Sequence, residues 1–540
     1  MSFILAREGA VKAHPGGQTM VSRAFALLAV CCGFLLSACS VRELADDTWY
    51  EVHTGNFRIV TNGNPEAVDT LARDLERYRA VALNLLGTKE RGKKLTIYAA
   101  ADRITYAGLV GPELAEITNG LFDTTAEGSY ALVNLDGRSG ERQLQAREFL
   151  FHEYTHYLSY HGNTLHYPYW YSEGFAEFMS TMTFPRPGHY QLGAIPQERA
   201  LTLIYTEPLP LETLLRATVM NTPDEDKGRV YASGWMLTHW LLMESGRVDQ
   251  LRDYLKAYNR GEDPVAALEK TFGVTLQQVA GRYNALFQEG DFDMVAGRVP
   301  ASFEEATPHL RPLSPRSAVA EVARFLVMSG YHPGGLGDLL QYAQVKGLES
   351  PELTATYAEA ALQAGDFDFA ADLLASIPVP ARDNVWFQRV DAWLQLNRQM
   401  YTAGEARDRE QLKAARDKFV QLVNKDEQTA SHWYGLAVSM EMLAYPRDEY
   451  LEMLEQAYLR APRQVHIAQW LAMELYQKQD ADYFARVAQP LLMDLNDEEE
   501  YRQIKDMLAE LQEPQRPAGH ERPDGRENKQ GKDIPAPNKG

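Results

Sequence analysis

Cysteine is almost absent from this chain of 540 residues. Cys31, Cys32 and Cys39 are the full complement, so nothing beyond position 39 can form a disulfide framework or a thiolate-rich metal site. Basic charge is also in short supply. Lys and Arg number 54 against 74 Asp and Glu, a formal net charge of -20. That balance argues against a nucleic-acid partner, because phosphates need clustered Lys and Arg. It argues equally against broad adhesion to anionic headgroups. No apolar run reaches the roughly 20 residues that cross a bilayer, and no G-x-S-x-G is present to build a nucleophile elbow. What remains is ordinary for a globular protein, with 45% apolar and 24% charged residues. The length predicts two or three domains.

The cysteines cluster for a reason. From Met20 the chain reads "MVSRAFALLAVCCGFLLSACS", with Arg23 as a positive flank and an apolar stretch from Ala24 to Leu36 that is short for a span. This pattern predicts a signal peptide over residues 1–38, with Met20 as the start. Its end, Leu36-Ser37-Ala38-Cys39, resembles the bacterial lipobox. The resemblance implies cleavage before Cys39 and lipidation of its thiol. Ser40 in the next position implies delivery to the outer membrane of a Gram-negative cell. The expectation is a body tethered in the periplasm by the lipid on Cys39 alone.

Residues 48–61 suggest two strands around Gly55-Asn56, residues 65–86 a helix opened by Pro65, and residues 93–100 a strand. Two more strands follow, the second ending near Asp136. The N-terminal half therefore reads as α+β, and residues 39–295 form the first expected domain. Residues 296–316 are rich in Pro and polar residues and are expected to be a linker. From 317 to 511 the pattern is helical, with an approximate period that resembles the tetratricopeptide repeat. Residues 512–540 carry almost no apolar content and are expected to be a disordered tail.

The chemistry concentrates in "REFLFHEYTHYLSYHG", residues 147–162. On a helix, His152 and His156 lie four apart on one face and can address one ion. Glu153 sits one position round, where a base can act on a metal-bound water. Downstream, "YPYWYSEGFAEFMS" offers Glu173 as a third ligand on a helix opened by Pro168. Two histidines and a glutamate leave the fourth zinc position open, which is the catalytic arrangement. Glu177, four residues on, can take the N–H of a ligand histidine. Gly174 has no side chain and suggests close packing against the signature helix. His161, His166 and Tyr167 form no four-ligand set and read as loop.

"HEYTH" followed by "WYSEGFAEF" resembles the gluzincin metallopeptidases, closest to the peptidase MA-like families, over roughly residues 48–290. The resemblance implies a thermolysin-like zincin core ahead of an all-α, tetratricopeptide-like repeat domain. It implies one zinc ion per chain on His152, His156 and Glu173, with Glu153 as general base and Glu177 behind the ligands. It further implies a Tyr or His as oxyanion donor, for which Tyr231 is the first candidate and His239 the second. Residues 129–136 correspond to the strand edge that aligns substrate backbone. The expected activity is peptide-bond hydrolysis on a protein or peptide substrate, with the repeats binding substrate or an envelope protein. The alternative is an inactive zincin-fold lipoprotein whose repeats act as a scaffold.

Overall fold

The computed structural model describes residues 44–87, 93–136, 140–162, 166–243, 247–402, 407–494 and 497–512. The expected signal with Cys39, residues 513–540 of the expected tail and the side chain of His161 lie outside them.

Strands β1 (Tyr50–His53) and β2 (Phe57–Thr61) form the first hairpin, and helix α1 (Pro65–Leu86) follows. Asn64 caps α1 by accepting from the amides of Glu66 and Ala67, Pro65 fills its first turn, and Gly87 ends it with φ 63°. Next come β3 (Leu95–Ala100), two short helices α2 (Arg103–Val110) and α3 (Pro112–Ile117), β4 (Gly120–Thr125) and β5 (Gly128–Asn134). The signature helix α4 (Gly140–Gly162) is followed by α5 (Tyr169–Ser180), β6 (Thr183–Arg186) and β7 (His189–Leu192). Helices α6 (Gln197–Thr206), α7 (Leu211–Leu215), α8 (Asp224–Met243), α9 (Arg247–Asn259), α10 (Pro264–Phe272) and α11 (Leu276–Glu289) complete this half.

Residues 296–316 are not a free linker. They contribute most of β8 (Val295–Arg298) and all of β9 (His309–Pro312). β8 extends β6 and β7 into a three-stranded sheet, and β9 pairs antiparallel with β1. The main sheet thus has six strands in the order β4-β5-β3-β2-β1-β9, with β2, β3 and β5 parallel to one another. Proline is tolerated because β8 and β9 are terminal strands of their sheets, where an amide can go unpaired.

Both faces of the main sheet are covered, and the side chains alternate between them. Ile59, Ile97, Ala131 and Val133 point into the core beneath α1, α4 and α5. Val60, Tyr98, Tyr130 and Leu132 point the other way, onto Val319, Val322 and Phe325 of α12 (Pro315–Ser329). Arg58 ties the layers by pairing with Glu51 at 2.6 Å and Glu321 at 2.8 Å. The helix expected to open a second domain therefore packs on the back of the first domain's sheet. After α13 (Pro333–Lys346) the chain is wholly helical among the described residues, with α14 (Pro351–Gln363), α15 (Phe367–Ser376), α16 (Val385–Met400) and α17 (Arg409–Lys425). Then come α18 (Ala430–Met442), α19 (Arg447–Arg460), α20 (Val465–Lys478), α21 (Ala481–Asp494) and α22 (Glu498–Gln512). The architecture is an α+β unit followed by a helical region.

Candidate metal centre

The signature helix α4 is held from behind by α1. Tyr78 stacks on Phe151 with centroids 4.0 Å apart, and its hydroxyl bonds Thr155 Oγ1, which also donates to the Phe151 carbonyl at 2.7 Å. Tyr154 packs edge-on against Phe57 of β2 at 5.0 Å. These contacts fix one face of α4 to the sheet and turn the other face outward. From Phe151 to Ser159 every residue is buried except Glu153, which keeps partial access to solvent.

Helix α5 lies beside α4 and is also pressed against α8. A Cβ on Gly174 would overlap the Gly234 carbonyl, and one on Gly234 would overlap the Trp170 carbonyl. Gly174 therefore serves the approach to α8, not to the signature helix as the sequence suggested. Glu173, one position round, faces the histidines.

The three donors converge. His152 Nε2 and His156 Nε2 are 3.1 Å apart, and Glu173 Oε2 lies 3.4 and 3.3 Å from them. Tetrahedral zinc with bonds near 2.0–2.1 Å has ligand-to-ligand edges of about 3.3 Å. Glu173 Oε2 is buried without a hydrogen-bond donor, as suits an oxygen reserved for a cation. Among the described residues this is the one group of three such donors. The residues present fit a zinc ion.

The electrostatics agree. Burial works against a charge on His152, but the adjacent carboxylates of Glu173, Glu177 and Glu153 push its pKa up to about 9. Burial also opposes the Glu173 carboxylate, yet His156 and His152 hold it far below the usual range. A site that gathers this much negative charge is prepared for a cation.

Behind the donors, His152 Nδ1 points at Glu177 Oε1 over 3.4 Å. Arg199 of α6 donates from Nε to the same oxygen at 2.9 Å, and its guanidinium carbon lies 5.1 Å from the centre of the Tyr231 ring. Arg199 is the residue that motif reading missed. It sits in an unremarkable helical stretch, and only the folded chain brings it to Glu177. Tyr231 of α8 does come to the site, with its ring parallel to that of His152 at 6.0 Å. The charge of Glu173, then burial, raises its hydroxyl far above the ordinary tyrosine range.

Other expectations fare differently. His239 is packed among Phe178, Trp235 and Phe292, and its Nε2 meets the Asp293 carbonyl at 2.8 Å. Burial lowers its pKa, and it is a core residue. His166 is buried, with its amide donating to Asn259 Oδ1 at 2.8 Å, and Tyr167 packs on Tyr171 and Phe175. Residues 129–136 do not form a sheet edge, because β5 is flanked by β3 and β4. The edge is β4.

Residues 126–289 match the family model of the collagenases, peptidase family M9. Members of that family are zinc-dependent metallopeptidases. The matched region runs from the β4–β5 turn to the end of α11 and includes His152, Glu153, His156, Glu173, Glu177, Arg199 and Tyr231. The chain is accordingly a zinc metallopeptidase, a hydrolase acting on protein or peptide. Among curated protein sequences none matches it.

Proposed function

We propose that this zinc metallopeptidase uses His152, His156 and Glu173 as ligands and Glu153 as general base to cut extended polypeptides. The observation that carries the reading is the donor triangle, whose 3.1–3.4 Å sides match a tetrahedral face. When bound, zinc supplies Lewis acidity for the water and for the scissile carbonyl. Glu153 takes a proton from the attacking water and hands it to the departing amine. Its support is its position on the signature turn and its access to solvent where the flanking residues are buried. Tyr231 donates its hydroxyl to the carbonyl oxygen as that atom gains negative charge. Glu177, braced by Arg199, holds the His152 ring in the tautomer that leaves Nε2 free. The core is read as zincin-like and the helical region as degenerate tetratricopeptide-like repeats.

The substrate backbone pairs with the free edge of β4. This strand starts beside the signature helix, where a Cβ on Gly120 would overlap the Phe149 ring. Its far end pairs Thr125 with Gly128, where an added Cβ would press on the Lys93 side chain. β4 thus starts beside the helix that carries Glu153. Main-chain pairing gives affinity with little side-chain preference.

The Leu36–Cys39 sequence supports a lipid anchor in the periplasm, and the repeats are offered as a surface for an envelope protein. Cys39→Ser should release the chain from the membrane fraction.

The deciding experiment is hydrolysis of unfolded casein by the full chain and by Glu153→Gln, each with zinc measured. Expected are about one zinc in both and cleavage only by the wild type. Equal cleavage by the two would remove Glu153 from the mechanism.

A further inference from the structure

The β4–β5 turn is gripped by the helical region. The Ser431 amide, at the start of α18, donates to the Ala126 carbonyl at 2.8 Å. Gln464, the residue that caps α20, donates its side-chain amide to the Thr124 carbonyl. Arg389 of α16 is 3% exposed and pairs with Glu127 of the turn and with Glu359 of α14, the latter at 2.7 Å. Beside the turn, Lys93 pairs with Asp426 at 3.2 Å and donates to Thr429 at 2.7 Å.

Three acceptors, one at the end of β4 and two in the turn that follows, are therefore met by α16, α18 and α20. Two of those contacts come from helix N-termini. At Ser431 the donor is one of the first backbone amides of its helix, which lack intrahelical partners, so a carbonyl oxygen is a complementary guest; Gln464 reaches its carbonyl with its side chain. Arg389 supplies the third contact as a buried charge and rests on Trp386 at 4.3 Å. A solvated surface loop would need none of this.

β4 needs such support. It has β5 on one side and no strand on the other among the described residues, so half of its backbone groups have no strand to pair with. Its height over the Glu153 turn depends on what holds its far end.

We infer that the repeats position the substrate-aligning strand, with Arg389, Ser431 and Gln464 as positioning residues that act through the β4–β5 turn. The inference rests on the reading of β4 as the strand that pairs with substrate. Loosening the grip leaves the metal donors in place, since all of them lie on α4 and α5. It raises the ordering penalty that substrate meets on binding. The effect belongs in KM, with kcat and zinc content largely unchanged.

The test uses the full chain and two mild variants, Gln464→Ala and Glu127→Gln. Both are milder than Arg389→Met, which would strand the half-buried carboxylates of Glu127 and Glu359 and threaten folding. Amide hydrogen exchange of Gly120–Thr125 is measured alongside KM and kcat on a peptide long enough to span β4. Expected are faster exchange in β4, KM raised about 5- to 20-fold, and kcat within about threefold of wild type. Unchanged exchange in both variants overturns the grip. Faster exchange with unchanged KM overturns β4 as the substrate strand and the inference with it. The Glu153 experiment stays independent of both results.

Discussion

The ring of Tyr231 lies flat against the ring of His152, with centroids 6.0 Å apart and planes within 7°. One aromatic plane thus fixes a ligand histidine and carries a hydroxyl to the edge of the metal site. Tyr231→Phe keeps the plane and removes the hydroxyl. It should leave zinc content and melting temperature near wild type and lower kcat by roughly 10²-fold, the size of one lost oxyanion donor. Unchanged kcat would assign Tyr231 to packing alone. His239→Phe is the matched control, and any loss there should follow stability.

Zinc binding should release a proton. In the metal-free protein His152 has a pKa raised to about 9, against about 6.5 for an unfolded histidine. Its charged form therefore adds to apo stability below about pH 6.5, and that contribution disappears as pH rises through about 9. Zinc needs the neutral ring. Affinity should climb with pH up to about 9 and then flatten, with about one proton released near pH 7.5. Calorimetry in two buffers of different protonation enthalpy reads that proton directly. No buffer dependence would mean His152 is already neutral.

Arg199→Met should weaken zinc by about 10- to 100-fold through the Glu177–His152 contact. Glu198→Ala, on the exposed side of the same helix, should not. Competition with a chromogenic chelator separates the two. Equal affinities would reduce Arg199 to a packing residue.

Gly234→Ala attacks the site through distance. The new methyl meets the Trp170 carbonyl, and α5 must move, carrying Glu173 with it. Overpacking of this kind costs about 1–3 kcal/mol. The variant should melt earlier, and added zinc should restore less stability than in wild type. A wild-type melting curve would show that the helix pair has slack.

Much of the site was legible because its determinants are local. Residues four apart on one helix must share a face, so His152 with His156 and Glu173 with Glu177 were paired before any tertiary information. Pro65 and Gly87 likewise bracket α1 by backbone chemistry alone. What could not be read depends on distant partners. β9 is four residues in a proline-rich segment and becomes a strand only because β1 offers an edge. β4 and β5 look alike in sequence, and the sheet order alone makes β4 the outer one. The partner of Gly174 was misjudged because a small residue announces close approach without naming the neighbour. Arg199 carries no motif, and its role arises from a contact across to α5.

The placement of β9 and α12 has a consequence for biosynthesis. The strand that closes one side of the sheet, and the helix that seals its back face, both follow every metal donor in the chain. A nascent polypeptide has already exposed its zinc-binding helices when β1 still lacks its outer neighbour β9 and Tyr98 still faces water. Such long-range closure is slow compared with helix formation. A chain interrupted near residue 300 would carry all the ligands on helices packed against a sheet that lacks β9 and the cover of α12.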